Sequence, residues 1–308
     1  GEMARLREAD IPVVLLHGNH DAQSPITRDL TLPDNVSVLA ADHADTVFLE
    51  EPPVAVHGRS FSRAQVTENL VPEYPAPVAG RLNVGLLHTA LEGDSEHAHY
   101  APCSVAELRN QGYDYWALGH VHRYTKVSED PWVVFAGNLQ GRHVRESGPR
   151  GAVRVEVEEG RVVRAEHVPV DVVRWAVLEV DLTGTRDWEA MAVRVRDAIE
   201  DALAVSEGRL LAARIVLRGR TAVHAALSHD YERLVMDVRA QAAASGAERL
   251  WIERVRLETS SLAATDTADA LGELAHLLEE GAGDPDFQAA LAEVLRPLRD
   301  GLPPELRH

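Results

Sequence analysis

Three short apolar runs in the first half of the chain end in the same way. Ile11-Pro12-Val13-Val14-Leu15-Leu16 runs into the polar loop His17-Gly18-Asn19-His20-Asp21. Asn83-Val84-Gly85-Leu86-Leu87 stops at His88, and Tyr115-Trp116-Ala117-Leu118 stops at Gly119-His120-Val121-His122. A continuous apolar run of this length, bounded by turn residues, has the pattern of a buried strand. Ligands of α/β sheets collect beyond the carboxyl ends of the strands, so three strands that each end on histidine predict one site. Histidine is also unevenly placed. Of the 15 in the chain, positions 17, 20, 43, 57, 88, 97, 99, 120, 122 and 143 all precede residue 150.

Around these runs the pattern predicts further strands at 36–39, 46–49, 54–57 and 132–136, a helix over 104–111 stopped by Gly112, and a hairpin of 152–157 with 162–168 around Glu159-Gly160. From about Asp171 the units lengthen into strand 176–182, helix 187–204, strand 210–217, helix 228–244 and strand 250–257. Two amphipathic helices are expected over 265–279 and 285–295, either side of Gly281-Ala282-Gly283. The expected organisation is α/β: residues 1–170 as the histidine-bearing domain, 171–260 as a small α/β capping domain, and 261–308 as a helical segment.

Composition narrows the chemistry. With 31 Lys plus Arg against 49 Asp plus Glu, the net charge of −18 repels nucleic acid and anionic membrane, so phosphate chemistry needs a local positive centre. Lys126 is the lone lysine, which removes a Gly-Lys phosphate loop. Cys103 is the lone cysteine, so neither a disulfide framework nor a cysteine-rich zinc site is available, and without a His/Asn arrangement it reads as an inert thiol. No run of about 20 apolar residues spans a bilayer and no signal peptide is evident; the expected compartment is the cytoplasm. There is no Gly-x-Ser-x-Gly elbow for serine hydrolysis.

Asn19, His20, His88, His120 and His122 offer neutral nitrogen and amide oxygen donors, suited to manganese, iron or zinc. A His-x-His pair on a strand end can address two metals, because successive side chains point to opposite sides. Asp21 is placed to orient His20. Gly18-Asn19-His20-Asp21, the strand-end His88 and Gly119-His120-Val121-His122 resemble motifs three to five of the calcineurin-like metallophosphoesterases. Within them, Asp21-Ala22-Gln23-Ser24-Pro25-Ile26-Thr27, Tyr113-Asp114-Tyr115-Trp116 and Gly137-Asn138-Leu139-Gln140-Gly141-Arg142-His143 are similar to DNA repair exonucleases of the SbcD type, in particular a YhaO-like branch.

That resemblance implies a β-sandwich flanked by helices, followed by the capping domain. It also implies a manganese-dependent hydrolase of DNA phosphodiesters, with Asn19, His88 and His120 on the second metal and His122 on the first. His20, supported by Asp21, would stabilise the transition state or protonate the leaving oxygen. The expected partners are DNA and an SMC-like coiled-coil ATPase of the SbcC type, with a homodimer as a further possibility and no membrane. The family's Asp-x-His and Gly-Asp motifs have no counterpart before Gly18, so the first domain reads as truncated at its N-terminus and is expected to hold at most one metal tightly. Two alternatives stay open: a phosphatase or cyclic-nucleotide phosphodiesterase on the same metals, and a non-catalytic interaction subunit.

Other residues read more plainly. His17 is expected to pack in the core, and His97 and His99 to lie in a solvated or substrate-facing loop. Arg142 and His143 are open between a phosphate contact and a structural turn. Trp175, Trp188 and Trp251 are expected to pack in the second domain rather than to stack on bases. Leu271, Leu274, Leu277, Leu278, Phe287, Leu291, Val294 and Leu295 form a stripe suited either to docking a partner or to packing on the chain's own cap.

Overall fold

The computed structural model describes residues 1–23, 30–91, 100–246, 248–262 and Glu293. The expected helices over 265–279 and 285–295, and the pair His97 and His99, lie outside the described residues.

The first domain is built on a six-stranded sheet. Its strands are β3 (Asp45–Leu49), β4 (Val54–Gly58), β5 (Leu82–His88), β6 (Tyr115–Gly119), β7 (Thr125–Glu129) and β8 (Trp132–Phe135), in the spatial order β3-β4-β5-β6-β8-β7. The four inner strands are parallel, and β3 and β7 run antiparallel at the two edges. Strand β7 departs from the sequence expectation: Thr125–Glu129 is a mostly polar edge with no apolar run to announce it.

Both faces of this sheet are covered, which is why its inner strands are apolar throughout. Val54, Val56, Leu82, Tyr115 and Val134 point to one side. There they meet Val14 of β1 (Val13–Leu15) and the hairpin of β9 (Gly151–Glu158) and β10 (Arg161–Pro169) through Val153, Val155 and Val162. β1 pairs in parallel with β2 (Val36–Val38). Leu87, Trp116, Leu118, Val133 and Phe135 point to the other side, onto Phe61, Leu70, Tyr74 and Leu108. Trp116 is fully buried and lies across Gly85 of the paired strand, where any β-carbon would collide with its ring.

Leu108 belongs to α3 (Val105–Asn110), which follows the α1 (Glu2–Glu8) and α2 (Asn19–Gln23) helices. Ser104 and Glu107 close a capping box at its start, Ser104 Oγ accepting Glu107 N (3.2 Å) and Glu107 Oε2 accepting Ser104 N (2.8 Å). His57 of β4 is fully buried between Thr46 and Asn83 and stacks on Tyr113, as a structural histidine.

The second domain is a three-stranded parallel sheet, β11 (Val173–Asp181), β12 (Leu210–Thr221) and β13 (Leu250–Ser261). One face is covered by α4 (Trp188–Ala204), α5 (His224–His229) and α6 (Tyr231–Gly246). Met191, Val195, Ile199 and Leu203 repeat every four residues along α4 and fill the core with Leu211, Ile215 and Leu217. Each such side chain contributes about 1.5–3 kcal/mol on burial.

The single helix expected over 228–244 is two. The chain breaks at Asp230, whose backbone leaves the helical region (φ −116°, ψ 56°) and whose carboxylate caps the next helix by accepting Arg233 N (3.3 Å). The tryptophan expectation also needs correction. Trp188 packs, donating to Asp237 Oδ2 (2.7 Å), but Trp251 is 54% exposed. Strand alternation gives the helix-covered face to Ile252 and leaves Trp251 on the open one, edge-on to Trp175.

Candidate functional site

The residues after β1 are pinned from the side. His17 N donates to Ser60 Oγ (3.1 Å) and its carbonyl accepts Phe61 N (2.8 Å), which fixes the direction of Gly18. Gly18 starts α2, and Asp21 at the third helical position reaches back to the Gly18 N–H (3.0 Å). This is the return half of a capping box. The expectation that Asp21 orients His20 is corrected here: it caps the helix, because neighbouring residues leave a helix about 100° apart while the third residue sits under the cap.

Three backbone segments converge on the His88 ring. β5 and β6 are paired so that His88 faces Gly119. A β-carbon at Gly119 would lie 3.1 Å from His88 Nδ1, and one at Gly18 would lie 2.5 Å from His88 Cε1. The two glycines therefore clamp the imidazole. Its Nε2 lies 2.9 Å from Asn19 Oδ1, and its ring centre is 5.1 Å from that of His120. His120 has φ +101°, a conformation that costs about 1–3 kcal/mol outside glycine and is retained where it aims the ring at the site. Burial first, and the neighbouring His120 second, push the His88 pKa down to about 4. At pH 7 the ring is neutral and its nitrogen can act as a donor.

The donor set fits one cation. Two ligands at right angles with bonds of roughly 2.1 Å sit about 3 Å apart, the separation of Asn19 Oδ1 and His88 Nε2, and His120 stands beside them. Among the described residues no group of three or more His, Cys, Asp or Glu is placed to hold a metal.

His122 is organised by a residue that no sequence motif singles out. The buried carboxylate of Glu146 lies 2.7 Å from His122 Nδ1 and accepts Arg142 N (2.8 Å), Asn138 Nδ2 (3.0 Å) and Arg142 Nη2 (3.2 Å). Burial would raise this carboxyl, but the bonds from the Arg142 backbone, His122, the Arg142 guanidinium and Asn138 prevail and bring it down to about 2. An ionised Glu146 can only accept, so the hydrogen between the two groups sits on Nδ1 of His122. Arg142 Nη2 also stands 3.0 Å from that Nδ1, but two donors cannot bond each other, so its bond is the one to the carboxylate. The available signal is spacing: Glu146 follows Arg142 and His143 by four and three residues, one turn of the Val144–Glu146 3₁₀ helix.

Arg150, 6% exposed, ties this loop to the histidine motif. It donates to the carbonyls of His122, Glu146 (3.2 Å) and Ser147 (2.9 Å). The loop is also fastened to the second domain. Gln140 Oε1 accepts Val172 N (2.9 Å) and Val173 N (3.1 Å), and Trp175 Nε1 donates to Gly141 O (2.9 Å). The resulting cavity of about 740 Å³ brings together Asn19, His20, Asp21, His88, His120, His122, Arg142 and His143, with Arg123, Arg145, Glu146 and Arg150 on its walls. His17 is not among its lining residues.

Residues 1–124 match the calcineurin-like phosphoesterase family, and residues 175–260 match the middle domain of metallophosphoesterase YhaO. A curated relative, "Uncharacterized metallophosphoesterase YhaO" of Bacillus subtilis (strain 168), is 31% identical over 222 residues, covering 71% of this chain. The chain spans about half of that relative's length, 54%. Calcineurin-like phosphoesterases are hydrolases that use divalent metal ions. Helices flanking the sheets, histidines converging at the strand ends and both regional matches agree that the chain belongs to the calcineurin-like metallophosphoesterase superfamily, as a YhaO-like homologue.

Proposed function

We propose that the protein hydrolyses phosphodiesters of DNA as an SbcD-type repair exonuclease, with manganese as the metal and an SMC-like ATPase of the SbcC type as its partner. The observation that supports this most is the convergence of Asn19, His88, His120 and His122 with arginines in one cavity. A divalent cation bound there would shield phosphoryl charge and lower the pKa of attacking water. Asn19, His88 and His120 would hold it, and Glu146 fixes the His122 ring at the cavity. In the proposed step the oxygen of water bonds to phosphorus and gives up one proton to solvent, the bond to the leaving ester oxygen breaks, and His20, exposed on the cavity wall, gives that oxygen a proton and regains one from solvent.

Metal content and rate, measured together, test the assignment. His20→Ala is expected to lower turnover of a DNA substrate with manganese by about 10²–10⁴-fold, the usual worth of a general acid, and to leave metal content unchanged. His88→Ala is expected to lose the metal. Equal metal loss in both variants would make His20 a ligand. Mass spectrometry of the wild-type chain is expected to find at most one tightly held metal, and two stoichiometric metals would refute the single-cation donor set.

A further inference from the structure

The four arginines around the cavity divide into two pairs. Arg150 is buried and spent on backbone carbonyls, and Arg142 is spent on Glu146. Arg123 and Arg145 also line the cavity, are exposed, and make no ion pair or side-chain hydrogen bond among the described residues. The two carboxylates of the cavity do not offset them. Glu146 is enclosed by His122, Arg142 and Asn138, and Asp21 is turned onto Gly18 N.

In a chain of net charge −18, two unpaired guanidinium groups beside two others are a local reversal of sign. Confining like charges in one concavity is unfavourable unless an anion enters it, and the field focused there raises the local concentration of that anion. On the proposed function Asn19, His88 and His120 take the reacting phosphoryl, and the same cavity is lined by Arg123 and Arg145. Arg123, directly after His122, and Arg145, directly before Glu146, present planar forks suited to a phosphate diester or terminal phosphate.

Resting on the phosphoester reading of this site, we infer that Arg123 and Arg145 form a subsite for a second phosphate of the same substrate, adjacent to the scissile one. They determine specificity for a phosphate chain over an isolated phosphoester. A polynucleotide strand and a nucleoside polyphosphate share that chemistry.

Equilibrium binding by the full chain in EDTA, without turnover, separates this subsite from the catalytic reading. The probe is a fluorescein-labelled thymidine tetranucleotide, competed with the unlabelled tetranucleotide, thymidine monophosphate or ATP. The wild type is expected to prefer the tetranucleotide or ATP over the monophosphate by about tenfold or more at low salt. Arg123→Ala/Arg145→Ala is expected to abolish that preference and to reduce the slope of log affinity against log salt for the tetranucleotide by about 0.7, for the one phosphate that is no longer neutralised. Arg186→Ala, an exposed arginine outside the cavity, is expected to retain both. Whichever competitor is weakened more in the double variant names the source of the second phosphate. A double variant that keeps the wild-type preference, or a wild type with none, overturns the subsite whatever the activity of the protein.

Discussion

A methyl group at Gly18 would sit 2.5 Å from Cε1 and 2.6 Å from Nδ1 of His88. Gly18→Ala is therefore expected to displace the His88 ring from Asn19 and to weaken divalent-metal binding by at least about tenfold, with the circular dichroism spectrum unchanged; calorimetric titration with manganese or zinc measures it. Unaltered affinity would show that His88 is not the anchor of the donor set. Glu146 raises the opposite issue, of charge rather than space. In Glu146→Gln the amide nitrogen replaces either Oε2, where it meets Arg142 N and Asn138 Nδ2, or Oε1, where it meets Arg142 Nη2 beside His122 Nδ1, so that donor meets donor in either orientation. We expect a loss of about 1–3 kcal/mol, the cost of an unmet buried polar group, read from urea unfolding. A neutral substitution would mean that the loop repacks around the amide.

At the scale of elements, the joint between the two domains depends on one buried acid. The Asp171 side chain is fully buried and receives two bonds from Arg174, both 3.0 Å, while Arg209 lies 3.1 Å away. Burial alone would raise its pKa, but Arg174 and then Arg209 hold it below its ordinary value. A carboxyl depressed in the folded state adds stability above its unfolded pKa near 4, and that stability is lost as pH falls through the depressed folded value. Thermal unfolding is expected to show this loss below about pH 4, and Asp171→Asn to remove that part of the pH dependence at a cost of about 3 kcal/mol. A variant with the wild-type acid limb would assign the limb to other carboxylates. The same joint fastens Gln140 and Gly141, in the loop bearing Arg142 and Glu146, to Val172 and Trp175, so the second domain braces one wall of the site.

For the molecule as a whole, a net charge of −18 opposes the approach of a polyanion such as the proposed DNA substrate. Affinity for duplex DNA is expected to be weak and to fall steeply with salt, and to rise on adding the proposed SbcC-type ATPase. Pull-down of that ATPase with and without residues 262–308 tests whether the stripe from Leu271 to Leu295 carries the contact. Undiminished association after the deletion would place the interface elsewhere. Among the described residues no helix is long and apolar enough to cross a membrane.

The sequence by itself determined the strands that matter. Runs such as Asn83–Leu87 and Tyr115–Leu118 are apolar on both faces, and that pattern has few other uses in a chain with breakers at each end. It also determined α3, through Ser104 and Glu107, and the position of each histidine at a strand end. Local chemistry was silent where the outcome depended on partners distant in sequence. β7 is a strand because β8 lies beside it, Trp251 is exposed because β13 presents its other face to the helices, and Asp21 turned to the backbone instead of His20. Glu146 is the clearest case. A glutamate 24 residues from His122 becomes its orienting group only when the loop after β8 folds back across the end of β6, and no periodicity or propensity along the chain encodes that distance.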